Sequence, residues 1–134
     1  MVIFKKAENI SELSDYKRVH IGCIAIYKRQ VISVGYNTNK THPIQKKYNK
    51  FRKSDDGEFV VPLPSLHAEM MCLLGIKDMG INFSKVKLYI FRKNLNGEIA
   101  MSRPCAACMK AIDDLGIKEI HYTTTGGFVK EIRK

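Results

Sequence analysis

The sequence predicts an α/β fold, a three-layer α/β/α sandwich around a five-stranded mixed sheet, and three observations predict it. Runs rich in β-branched and aromatic residues recur at 19–27, 30–36, 86–92, 118–124 and 128–132, at strand length and bounded by turn residues. Before and between them, apolar residues return every three or four positions, the period of a helix with one buried face. The order is therefore helix, two strands, helix, strand, helix, two strands, and such interleaving builds layered α/β structures. At 134 residues the chain reads as one domain, 1–134, large enough to bury a core without disulfide staples.

The first helix is expected over 9–18, where Ile10, Leu13 and Tyr16 fall at helical spacing and Asn9 or Ser11 can cap it. Residues 19–27 are nearly uncharged and β-branched, as in a strand buried on both faces. Lys28 to Gln30 turn the chain into the second strand of a hairpin. Residues 37–65 are the least regular stretch, with turn residues at Asn39, Pro43, Asp55-Asp56-Gly57, Pro62 and Pro64. Connections this long in compact domains are usually functional or disordered. Leu66, Met70, Leu73, Leu74 and Ile76 restore helical spacing and predict a second helix from 66 to about 79, with Ser65 as its N-cap. A third strand follows at 86–92, then a turn at 94–97. Pro104 suits the first turn of a third helix over 105–115, and Gly116 suits its end. The fourth strand turns at Gly126-Gly127 into the fifth, a closing antiparallel hairpin.

A content of 45% hydrophobic and 27% charged residues is that of a soluble globular protein. No apolar run approaches the roughly 20 residues that span a bilayer, so no membrane partner is expected. The first residues lack the long apolar segment of a secretory signal, and a cytoplasmic, reducing location is the expectation. In that setting a Cys-x-x-Cys pair reads as metal-binding or redox-active rather than as a staple. Lysine plus arginine outnumber aspartate plus glutamate by 23 to 13, for a net charge of +10. Such an excess attracts phosphate-bearing molecules at long range without separating a free nucleotide from a single-stranded nucleic acid.

Chemistry concentrates in two short segments, 66–70 and 104–108. Cys105 and Cys108 are three apart and share one face of a helix, and a helix start stabilises thiolates. His67 arrives from the start of another helix. One imidazole and two thiolates are ligands that zinc prefers. A catalytic site with three protein ligands keeps its fourth position for water, whereas a structural site closes it with another protein group. Glu69, two residues after His67, is close enough to move a proton of that water. Cys23 and Cys72 read as small core residues.

These segments carry a resemblance. His67-Ala68-Glu69 with Pro104-Cys105-Ala106-Ala107-Cys108 resembles the His-x-Glu…Pro-Cys-x-x-Cys signature of zinc-dependent base deaminases. Met109-Lys110-Ala111-Ile112 and the run from Gly116 to Tyr122 extend the likeness to the cytidine and deoxycytidylate deaminase superfamily, nearest its deoxycytidylate branch, over about 19–124. The resemblance implies a cytidine deaminase-like fold and a Zn2+ cofactor on His67, Cys105 and Cys108. It also implies Glu69 as the catalytic proton carrier. Val34-Gly35-Tyr36-Asn37 is similar to the strand end where such enzymes place a substrate-binding asparagine, so Asn37, with Ala68, becomes a candidate substrate contact. Read by itself, Asn37 is equally a turn residue ending a strand. His-Ala-Glu is shared with tRNA adenosine deaminases and guanine deaminases and does not select the base.

Two features depart from the deoxycytidylate pattern. That branch and the nucleic-acid branches place another helix between the fourth and fifth strands, whereas residues 125–134 suffice for a hairpin alone. This ending looks more like free cytidine deaminases and some bacterial toxin deaminases. Free cytidine deaminases, however, commonly carry cysteine where His67 stands. Relatives often complete their pockets with neighbouring subunits, which implies a homo-oligomer.

Between Lys40 and Lys53 stand six basic residues and no acidic one, with His42, Tyr48 and Phe51 interleaved. Lys46 and Lys47 are candidate phosphate contacts, and the aromatics either stack on bases or pack down on the core. Arg103, beside Pro104, is a further candidate substrate contact; His121 and Tyr122 divide between the two faces of their strand. The leading expectation is zinc-dependent hydrolytic deamination of a cytosine-containing nucleoside or nucleotide to the uracil form, with release of ammonia. The alternatives are a deaminase of single-stranded DNA or RNA, favoured by the charge, and a non-catalytic zinc-containing nucleic-acid-binding module. Glu69 argues against the last, which has no need of it.

Overall fold

The computed structural model describes residues 2–16, 19–51 and 65–134. The turns expected at 55–57, 62 and 64 lie outside them, as do Arg52 and Lys53. The elements are α1 (Val2–Ser11), β1 (Val19–Tyr27), β2 (Gln30–Tyr36), α2 (Pro43–Asn49), α3 (Ala68–Leu74), β3 (Lys87–Asn94), α4 (Ala106–Leu115), β4 (Glu119–Thr124) and β5 (Gly127–Ile132). The strands form one sheet in the order β2-β1-β3-β4-β5. β3 and β4 are parallel, and every other neighbouring pair is antiparallel. A parallel pair needs a crossover, which α4 supplies. The mixed five-stranded sheet and its closing β4–β5 hairpin are as the sequence predicts.

The pleat sorts side chains onto two faces. Cys23, Ala25, Leu88, Ile90, Ile120 and Tyr122 pack with Met70 and Leu73 of α3 and Ala107 and Ile112 of α4. Ile24, Tyr89 and Phe91 pack on the other face with Phe4 and Ala7 of α1. Helices thus cover both faces, in three layers. Among the described residues no helix is long and apolar enough to cross a membrane.

Four expectations need correction. The first helix runs over Val2–Ser11 rather than 9–18. Its buried stripe is Phe4, Ala7 and Ser11, while Leu13 is 59% exposed; small residues face the sheet because α1 lies against Gly22, where a Cβ would collide with the Ala7 carbonyl. The stretch 37–65 is not wholly irregular, since α2 occupies part of it. Pro43, read as a turn residue, opens that helix, and its buried residues are Gln45 and Tyr48, too polar to leave a hydrophobic period. The helix expected from 66 starts at Ala68, two residues later. Leu66 is still extended there, exchanging backbone hydrogen bonds of 3.0 Å each way with Thr38, which makes His67 rather than Ser65 the N-cap. The same helix ends at Leu74, short of 79.

Candidate active site

α3 and α4 begin close together above the sheet. His67 is the N-cap of α3 and Cys105 the N-cap of α4, and neither spends its side chain on a cap hydrogen bond. Both side chains are instead directed at one another. His67 Nδ1 lies 3.2 Å from Cys108 Sγ and 3.6 Å from Cys105 Sγ, and the ligating atoms of these three residues all fall within 4.8 Å of one another. A tetrahedral zinc with Zn–S near 2.3 Å and Zn–N near 2.0–2.1 Å separates nitrogen from sulfur by about 3.6 Å. Donor types and spacing both fit that ion. Cys23 and Cys72 stand outside this cluster, buried in the core as expected.

The chain holds these ligands from several sides. On the α4 side, Ser102 Oγ donates to Ile90 O at 2.9 Å and accepts from Thr123 N at 2.8 Å. Thr123 Oγ1 donates to Ala100 O at 2.7 Å. These bonds pin the segment leading to Cys105 across the ends of β3 and β4. On the α3 side, the helix lies so close to β2 that a Cβ on Gly35 would collide with the Ala68 carbonyl and stand 2.6 Å from Cys72 N. Gln45 of α2, fully buried, accepts the backbone N–H of His67 through Oε1 at 2.9 Å.

Glu69 follows in the first turn of α3 and is 4% exposed. Burial raises its pKa above the usual carboxylate value. Its Oε1 is buried without a hydrogen-bond partner, a costly state unless something else fills that position. The two cysteines differ sharply. The Cys108 thiol, followed by His67, holds Cys105 down to about 4, whereas its bond to Cys105 and burial push Cys108 well up. Thiolates are the ligating form, so binding of a metal by these cysteines is linked to proton release.

The other candidates take varied places. Ala68 is fully buried between His67 and Glu69. Asn37 is buried, with Oδ1 accepting from Ile21 N and Nδ2 donating to Val19 O, both at 2.9 Å, so its side chain secures the end of the β1–β2 pair and keeps one N–H for another partner. Arg103 makes a bidentate pair with Glu131 at 2.9 and 3.1 Å. Lys46 and Lys47 are exposed on α2. Lys47 lines a cavity of about 600 Å³ with Leu73, Lys77, Asp114 and Leu115, at the C-terminal ends of α3 and α4, away from the ligand cluster. Tyr48 is 8% exposed and donates to Asp114 at 2.9 Å, and Phe51 packs against the same core. The expectation that these rings stack on bases gives way to the core alternative. His42 caps α2 by accepting from Ile44 N. His121 stacks on Tyr89 on the α1 side of the sheet and bonds Glu119 at 2.7 Å, so it faces away from the ligand cluster, while Tyr122 bonds Glu131.

Residues 2–124 match the family model described as the cytidine and deoxycytidylate deaminase zinc-binding region. The chain belongs to that family. Solved structures of similar fold include the dCMP deaminase of the cyanophage S-TIM5 in complex with dCMP and dUMP, at 24% identity over 92% of this chain and 79% of that one, with a TM-score of 0.61. The cytidine deaminase of Burkholderia pseudomallei aligns over 98% of this chain and 90% of that one, at 14% identity and a TM-score of 0.63. That of Mycobacterium leprae aligns over 94% and 87%, at 16% and 0.51. No curated protein matches the chain closely enough in sequence to count as a relative. The deaminase family is a zinc-binding one, and in this member His67, Cys105 and Cys108 can hold the ion. Its sheet and helices are those of the cytidine deaminase-like fold.

What sequence reasoning missed are the supports: Gln45, Ser102, Thr123 and Glu131. None belongs to a motif, and each acts through a partner distant in the chain. A buried glutamine in an otherwise basic helix leaves no signal in one sequence.

Proposed function

We propose that this deaminase converts a cytosine-containing nucleotide or nucleoside to its uracil form, with His67, Cys105 and Cys108 as zinc ligands and Glu69 as the proton carrier. The observation that carries the reading is Glu69 itself, a buried carboxylate with one oxygen unmatched, beside three ligating atoms. A zinc knot that only held the fold would have no use for it. Zinc, when bound, supplies a Lewis acid that polarises water and lowers its pKa toward neutrality.

Glu69 accepts a proton from the attacking water and delivers it to the ring nitrogen next to the amino-bearing carbon. Once the oxygen is joined to that carbon, Glu69 moves the remaining hydroxyl proton to the amine; the C–N bond breaks, ammonia leaves and the oxygen becomes the carbonyl of the uracil form. Burial raises the pKa of Glu69, which favours a group that must take up a proton before passing it on. Asn37 and Ala68 are the proposed contacts to sugar and base, and Lys46 and Lys47, exposed on α2 away from the ligand cluster, the proposed contacts to a phosphate at the far end of a nucleotide from the reacting base. The fold-level likeness to a deaminase that binds dCMP and dUMP supports the substrate class.

A second reading, deamination within single-stranded DNA or RNA, is favoured by the +10 charge and by the exposed lysines of α2. Incubation with cytidine, dCMP, guanine, adenosine and a mixed single-stranded oligonucleotide, with ammonia measured, separates the readings. Turnover of dCMP or cytidine is expected; turnover of the oligonucleotide alone would replace the first reading by the second. Glu69→Gln is expected to retain zinc and to lower kcat by at least about 10²–10⁴-fold. Loss of zinc together with activity would make Glu69 a structural residue instead.

A further inference from the structure

α2 carries no residue of the deaminase signature, yet one of its side chains reaches the backbone of a metal ligand. Gln45 is 0% exposed. Its Oε1 accepts the His67 backbone N–H at 2.9 Å, and its Nε2 donates to Asn49 Oδ1 at 2.9 Å, one turn along the same helix. His67 stands at the junction where the extended strap paired with Thr38 becomes α3, with φ −74° and ψ 151°. Only two side-chain torsions separate that backbone from Nδ1, which must stay 3.2–3.6 Å from both sulfurs. A small rotation of the junction would therefore be carried directly to the ligating atom.

Glutamine suits this place by its chemistry. It offers an acceptor to His67 and a donor to Asn49 without bringing a charge into a site that already holds Glu69 and two thiols. A methionine of similar size would leave a buried N–H at the junction without this acceptor. We propose that Gln45 is a positioning residue for His67, fixing the approach of its imidazole to the metal and making α2 a working part of the metal centre. This rests on the reading of His67 as a ligand.

The test uses the whole protein loaded with zinc or with cobalt(II), whose absorption bands report the geometry of nitrogen and thiolate ligation. In Gln45→Met, zinc affinity from chelator competition is expected to fall about 10–100-fold, the range for groups that orient ligands. The cobalt d–d bands are expected to shift, and kcat to fall with little change in KM. Gln45→Glu keeps the acceptor toward His67, and the Asn49 amide can turn its Nδ2 to the new carboxylate, so part of the lost affinity should return, short of wild type because of the added charge. Asn49→Ala, at a half-buried position, should move affinity and spectrum in the same direction as Gln45→Met but less. This second variant keeps the test alive if the first does not fold. Wild-type affinity and spectrum in Gln45→Met or in Asn49→Ala would overturn the proposal. So would a fall in melting temperature with no change in spectrum. His67→Ala is the control: if it keeps metal and spectrum, the ligand assignment has failed rather than the role of Gln45.

Discussion

Gly35 shows how one residue sets the position of the metal centre without touching it. A methyl group there would collide with the Ala68 carbonyl and lie 2.6 Å from Cys72 N, both backbone atoms of α3 that cannot rotate aside. Gly35→Ala must therefore lift the helix that carries Glu69 and follows His67. Overpacking of this kind costs about 1–3 kcal/mol, and about 1 kcal/mol lowers Tm by some 2–8 °C in domains of this size range. Calorimetry should find that fall, with a loss of zinc per chain; an unchanged Tm would mean that α3 does not lie so close to β2. The candidate residues were legible because type and spacing betray them: His67, Cys105 and Cys108 are brought together, with Glu69 in the first turn of α3. Gly35 was seen only as part of a motif ending in Asn37. Ser102 and Thr123, whose hydroxyls meet at 2.9 Å across 21 residues, were not visible, because such a pair exists only once the sheet has formed.

Among the elements, legibility followed the apolar pattern and the turns. β1 and α4 appear within a residue or two of their expected bounds because Cys23, Ile24 and Ala25 form an apolar run and Cys108, Ala111 and Ile112 an apolar stripe, and β2, β4 and β5 do so because turn residues bound them. α1 was displaced because its contact face uses Ala7 and Ser11, and α2 was missed because its buried positions are Gln45 and Tyr48. The same helix turns Lys46 and Lys47 to solvent, and at this scale the phosphate proposal can be tested. Charge reversal in the Lys46→Glu/Lys47→Glu variant should raise KM for dCMP at least about tenfold, since each lost charge-assisted contact is worth about 1.5–3 kcal/mol. KM for cytidine should stay unchanged. An equal rise for both would assign the effect to the fold of α2 and remove the phosphate role.

Across the whole molecule, the closing hairpin bears on the metal segment through one carboxylate. Glu131 of β5 accepts from Arg103, two residues before Cys105, and from Arg133, which itself pairs with Asp113 of α4 at 2.9 Å. Arg103, expected at the substrate, is thus a tie between the last strand and the start of α4. Hydrogen bonds from Arg103 first, then Arg133 and Tyr122, lower Glu131 from an ordinary 4.5 to about 2. Between those values the unfolded chain binds a proton that the folded one does not, so the stabilisation is complete above about 4.5 and is lost as pH falls toward 2. Other carboxylates lowered in the fold, among them Glu8 and Asp114, add to the acid sensitivity, so the decisive quantity is a difference. Glu131→Gln should be less stable than the parent in urea at pH 7, and the gap should close as pH falls from 4.5 to 2. A gap that stays constant across that window would mean that Glu131 contributes by packing or neutral hydrogen bonds rather than as an ion bound to Arg103. Because Arg103 adjoins the Cys105 segment, the same variant should also weaken zinc binding at neutral pH, where the tie is fully ionic, and chelator competition would measure it.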